Sequence, residues 1–226
     1  SVANRFMSPA GIWMLAHHRS VAIIDAPYAW EDANPVLDRI ENFLRDNGYR
    51  VELIAVSHLH LDHMAGLHPF LKRFDGATVV FPRAWREKAY KWWDGDTWKR
   101  GGVAPEPLLN HAKRVEFDET HVAKLSGEKI FFVEAPYHSA TDQVIVFRGV
   151  ALLPDWHLPS KPDEKLHLVL APKRDIAQTV RRFREFRARH AYTIHSAIGV
   201  HGSHGGVRPF QHRIRLACDR FAVDAD

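Results

Sequence analysis

Cysteine is almost missing from this sequence. The single Cys218 excludes an intrachain disulfide and any cysteine-rich zinc cluster, so histidine and carboxylate are the side chains left to hold a metal. Long apolar runs are missing too, since none approaches the roughly 18 residues that a membrane-spanning helix requires. The N-terminal stretch from Ser1 to Pro9 lacks the charged-then-apolar layout of a secretory leader. A cytoplasmic chain is expected, with secretion or a periplasmic location left open should Ser1 be a trimmed start. There is no internal repeat and no low-complexity tract, which excludes a fibrous or disordered chain.

What is present fits an ordinary globular domain. The 226 residues are 46% hydrophobic and 26% charged, enough for one core, and one domain over 1–226 is expected. The formal charge of +4 is partly spent on one helix, Arg181 to Arg189, which reads as a solvated face and not as a nucleic-acid surface. No nucleic-acid or membrane partner is expected; a homodimer stays open. The unusual component is histidine, with sixteen residues, so clustering decides what they do.

Hydrophobic patterning predicts strands at 12–16, 21–24, 53–56, 78–81, 129–133, 143–147, 150–153 and 191–194. Helices are expected from a cap at Asn34, with Pro35 in the first turn, to Gly48, and then over 66–73, 175–189 and 209–221. The stretch 82–128, with Trp85, Trp92, Trp93 and Trp98, has no tidy period and reads as an insertion or lid; a proline- and lysine-rich loop spans 159–172. This alternation implies a layered α/β architecture with sheets inside and helices outside. Asp25, His58, His138, Asp155 and His195 each fall just past a predicted strand end, where α/β proteins commonly build active sites.

The densest cluster is His58-Leu59-His60-Leu61-Asp62-His63. At this chain's own residue frequencies such a pattern arises by accident about once in two hundred sequences. If the strand before it stays extended, alternation turns His58 and His60 to one side, where two imidazoles can share an ion. A turn at Asp62 and His63 would carry those groups toward a neighbouring position, the layout of a two-metal hydrolase.

In this respect the chain resembles the metallo-β-lactamase superfamily over nearly its whole length. That family's motifs recur in order: Asp25 after Ala22-Ile23-Ile24, the central histidine motif, His138 after Ala135-Pro136-Tyr137, Asp155 after Leu152-Leu153-Pro154, and His195 after Tyr192-Thr193-Ile194. The resemblance implies an αββα four-layer sandwich. It also implies that His58, His60 and His138 hold one metal and Asp62, His63 and His195 a second, with Asp155 bridging. His195 competes for the last place with His201 and His204. Asp25 is expected to support the histidine loop without binding metal. Where relatives commonly carry Gly-His-Thr-x-Gly-Ser, this chain has Tyr137-His138-Ser139-Ala140-Thr141-Asp142, a departure that bears on the first metal.

Two divalent ions, zinc before iron or manganese, that share a water would lower its pKa to about 7 and yield a nucleophile. Asp62 could accept a hydrogen bond from the attacking water, and His157 could donate to a developing oxyanion. The resemblance to Asp155-containing relatives such as glyoxalase II and the lactonases points to a small-molecule ester, thioester or lactone, away from the true β-lactamases. Only 196–226 follow His195, which weighs against glyoxalase II itself with its added helical domain. The alternatives are an iron oxidoreductase of the persulfide dioxygenase type, a phosphodiesterase or amide hydrolase on the same fold, and a non-catalytic scaffold that kept the frame.

Overall fold

The computed structural model describes residues 11–27, 30–87, 106–156, 173–190, 194 and 196–199. They form two five-stranded sheets. The first contains β1 (Trp13–His17), β2 (Ser20–Ile24), β3 (Arg50–Ala55), β4 (Thr78–Pro82) and β5 (Arg114–Phe117), side by side in that order. The second contains β6 (Thr120–Leu125), β7 (Glu128–Glu134), β8 (Gln143–Phe147), β9 (Val150–Leu153) and β10 (Ser196–Gly199). Helices α1 (Trp30–Asp46), α2 (Leu61–Met64), α3 (Leu67–Arg73), α4 (Glu106–Leu109) and α5 (Lys173–His190) complete the described elements.

Strand alternation builds the layers. Along β2, Val21 and Ile23 join a core with Leu37, Ile40, Leu44, Leu67 and Phe70, while Ala22 and Ile24 face a separate core with Ile130, Phe132, Ile145 and Leu152. Along β7 and β8, Phe131, Val133, Val144 and Val146 turn to Ile176, Phe183 and Phe186 of α5. Strands apolar on both faces require cover on both, which gives helix, sheet, sheet, helix. The four-layer αββα sandwich expected from the sequence is the observed fold. No described helix is long and apolar enough to cross a membrane.

Several elements differ from their expected bounds. Helix α1 begins at Trp30, so Asn34 does not cap it and Pro35 lies inside it. A proline there removes one backbone donor, a local loss that the buried stripe of Ala33, Leu37, Ile40 and Leu44 outweighs. The expected insertion is shorter than 82–128. Its later part supplies β5 and β6, the edge strands of the two sheets, and Trp85 is fully buried and stacked on Phe81 at 6.2 Å. These strands hide in the sequence because edge strands carry the charges of Arg114, Glu116 and Lys124. Positions 88–105, with Trp92, Trp93 and Trp98, the 159–172 loop and the 209–221 helix lie outside the described residues.

The last strand is displaced as well. Ile194 lies outside any strand, and β10 begins at Ser196, after His195 instead of before it. It runs parallel to β9, with Ser196 opposite Val150 and Gly199 opposite Leu153.

Candidate metal centre

The loops that leave β2, β3, β7 and β9 meet at one edge of the sandwich. Asp25 leaves β2 with φ 68°, a left-handed conformation that aspartate tolerates better than most residues. This bend brings its carboxylate across the end of β3. There it accepts hydrogen bonds from the Ser57 N–H (2.5 Å), the Ser57 hydroxyl (3.0 Å) and His63 Nδ1 (2.9 Å). The neighbouring backbone is tied to the same loop, Ala26 N–H to His63 O at 2.7 Å and Gly66 N–H to Ala26 O at 2.7 Å. Asp25 therefore sets the path of the histidine loop, as expected.

His58 and His60 meet by a different route from the expected one. The chain bends at 57–59 after β3 ends at Ala55, so strand alternation does not place them. The bend presents unlike nitrogens, and His58 Nε2 lies 2.8 Å from His60 Nδ1. His138 Nε2, from the loop after β7, lies 3.0 Å from the same His60 Nδ1. Asp155 Oδ2 stands 4.0 Å from His58 Nε2 and 3.8 Å from His138 Nε2. These four side chains offer ligand atoms that all lie within 4.8 Å of one another.

A second cluster adjoins the first. The single turn α2 carries Asp62 and His63 sideways, and Asp155 Oδ1 stands 3.2 Å from His63 Nε2, which is 3.7 Å from Asp62 Oδ2. Ligand atoms of Asp62, His63 and Asp155 also lie within 4.8 Å of one another. Asp155 thus faces each cluster with one oxygen. His58 and His63 are fully buried, whereas His60, Asp62 and Asp155 are partly exposed, so solvent reaches the clusters past these three side chains.

The electrostatics of the two clusters differ. Burial, reinforced by the neighbouring imidazoles, holds His58 well below its usual range and lowers His60 to about 4, so both rings are neutral, the form in which imidazole binds a metal. Burial also works against charge on His63, but the Asp25 carboxylate, helped by Asp155, raises it to about 10. The second cluster is thus a place where positive charge is favoured.

The donor set fits divalent metal. Nitrogen ligands about 2.0–2.1 Å from a tetrahedral ion stand about 3.3 Å apart, close to the separations within the first cluster, and neutral imidazole with carboxylate is the donor mixture such ions take. Rings in both clusters also have an orienting partner: Ser57 Oγ is 3.1 Å from His58 Nδ1, and Asp25 holds His63 Nδ1. His157 and His195 lie outside the described residues.

Several supporting residues carried no metal-like signal in the sequence. The Thr141 hydroxyl accepts from Leu59 N–H at 3.1 Å and Gln143 Nε2 donates to Val56 O at 2.6 Å, joining the His138 loop to the histidine loop. On the other side Thr179 donates to Pro136 O at 2.8 Å and Arg182 to Glu134 O at 3.0 Å. Isolated polar residues of common types become visible only when the elements carrying them are packed.

Comparison with known proteins agrees with this geometry. The family model of the metallo-beta-lactamase superfamily matches residues 9–153. A hydroxyacylglutathione hydrolase of Stenotrophomonas maltophilia is 38% identical over 71 residues, 31% of this chain and 25% of that protein. One from Vibrio parahaemolyticus is 35% identical over 74 residues, 32% of this chain and 26% of that protein. The aligned part thus spans about a quarter of these relatives' length. Among solved structures, a metallo-beta-lactamase from Pontibacter korlensis superposes with TM-score 0.57 at 13% identity, covering 92% of this chain and 85% of that one. A metallo-beta-lactamase family protein of Thermus thermophilus gives 0.58 at 17%, covering 93% and 74%. These two likenesses concern the fold alone. With the family model spanning both the central histidine motif and His138, this chain belongs to the metallo-β-lactamase superfamily.

Proposed function

We propose that this chain is a dinuclear metallo-hydrolase that cleaves the acyl bond of a small-molecule thioester, ester or lactone. The observation that carries the reading is Asp155, whose two oxygens face two adjoining donor clusters. In this assignment His58, His60 and His138 would hold one ion and Asp62 and His63 the other, with Asp155 shared between them. A pair of divalent cations there, with zinc the best match to the donors, would supply a nucleophile from water near neutral pH and polarise the electrophilic oxygen.

The chain's own residues do the rest. Asp62, on the solvent side, accepts a hydrogen bond from the incoming water and orients it. Asp25 holds His63 Nδ1, which keeps Nε2 turned inward. Buried His58 and His138 close the rear of the site against bulk water. The hydroxyacylglutathione hydrolases are named for an acylated glutathione, and their identity to this chain favours a thioester within the acyl class.

A last histidine ligand for the second ion is expected from His195, with His201 and His204 as the alternatives; all three lie outside the described residues.

Elemental analysis of protein purified without added metal, followed by assay on thioesters, lactones and phosphodiesters, tests the reading. Two equivalents of divalent metal with acyl hydrolysis support it. A single iron with oxygen consumption, or turnover confined to phosphodiesters, overturns it.

A further inference from the structure

Asp142 is fully buried at the end of the His138 loop. Its carboxylate accepts from Tyr137 N–H (3.1 Å), His138 N–H (2.6 Å), Ser139 N–H (3.0 Å to each oxygen), the Ser139 hydroxyl (2.7 Å) and the Trp156 indole N–H (2.8 Å). Three of these donors are consecutive backbone groups around His138. The indole belongs to the residue that follows Asp155.

We propose that Asp142 is a positioning residue that holds His138 and Asp155 at a fixed separation by tying the His138 loop to Trp156. The proposal rests on the metal-centre reading above. His138 and Asp155 arrive on different loops, and their facing atoms are 3.8 Å apart. Behind those facing atoms the two loops are joined by the Asp142–Trp156 bond and by the packing of Trp156 on Tyr137 at 5.0 Å. A neutral hydroxyl, which must itself donate, cannot serve this many donors, whereas a carboxylate has lone pairs for them and makes the stronger, charge-assisted bonds. The loop is closed further by Ala135 N–H to Asp142 O at 2.9 Å, so a shift of Asp142 moves His138 with it.

Trp156 also packs against Phe183 at 6.0 Å, so Trp156→Phe keeps an aromatic in place while deleting the indole donor and part of the ring volume, a packing loss that the melting of the metal-free protein reads separately. The test compares wild type, Trp156→Phe, Asp142→Ala and the double variant. Each is read by zinc affinity in chelator competition, by the visible spectrum of the cobalt(II)-loaded protein and by melting of the metal-free protein. Trp156→Phe is expected to weaken metal binding about 10-fold or more and to shift the cobalt bands. The double variant is expected to lose less than the sum of the single losses, because both break the same link. Additive losses, or a lowered melting temperature with the cobalt spectrum and affinity of wild type, overturn the proposal. Should Asp142→Ala fail to fold, Asp142→Asn takes its place. A wild type that binds no metal sinks the underlying reading instead, so the two failures are distinguishable.

Discussion

Asp25 and His63, 38 residues apart in sequence, are joined by a buried 2.9 Å hydrogen bond from Nδ1 to a carboxylate oxygen. The bond fixes which ring nitrogen faces Asp155 and which charge state the ring prefers, so one contact at the back of the site governs its front.

Asp25→Asn is therefore expected to weaken binding of the second metal equivalent by about 10- to 100-fold and the first by much less. Stepwise titration with zinc against a chelator reads the two affinities separately. Equal losses at both steps would contradict the role assigned to Asp25.

Metal uptake at the second cluster should also depend on pH in a defined direction. His63 must give up a proton to bind, and its pKa in the metal-free protein is raised to about 10. Affinity for the second equivalent should rise with pH throughout the neutral range and level off only near pH 10. A pH-independent second affinity would show that His63 is not a ligand.

The brace behind the His138 loop is a buried ion pair, with Arg182 Nη1 3.1 Å from Glu134 and both side chains 7% exposed. Arg182→Met leaves the Glu134 charge without this partner and is expected to cost about 3–5 kcal/mol in urea unfolding. Restoring part of that loss with Glu134→Gln in the same chain would attribute it to the stranded charge; a loss below about 1 kcal/mol would show that the pair contributes little.

How far the site could be read from the sequence depended on how local each signal was. The His58–His63 cluster lies within one turn of chain, so residue type and spacing alone expose it. Asp25 and Asp155 are visible because each ends an apolar strand. Asp142 and Arg182 carry no such mark, since their partners are backbone groups and an indole that only tertiary packing brings near. The layered fold is legible because apolar strand runs such as β2, β7 and β8 alternate with amphipathic helices, while the charged edge strands β5 and β6 carry no such signal within 82–128. The strand after His195 escaped because Ser196-Ala197-Ile198-Gly199 holds a single strong strand former.

Glu116 provides a test away from the metals. Arg86 donates to both of its oxygens at 2.6 Å and Arg114 adds a third bond at 2.9 Å, which lowers the carboxyl from 4.5 to about 2. A group whose folded pKa is depressed stabilises the fold above its unfolded value, and that contribution fades as pH falls through the folded one. The difference in urea midpoint between wild type and Glu116→Gln should hold steady from about pH 7 to about pH 5 and shrink below about pH 4.5. A difference unchanged into that acid range would mean that shape, not charge, holds Arg86 against β5.

The last ligand makes the final prediction. Among the described residues the second cluster has three donors, Asp62, His63 and Asp155, and in the dinuclear reading one more histidine joins them. His195, His201 and His204 lie outside the described residues, so substitution is what separates them. His195→Ala should lose one metal equivalent in elemental analysis, whereas His201→Ala and His204→Ala keep both. Loss of an equivalent only in His201→Ala, or only in His204→Ala, would move the last ligand to that residue.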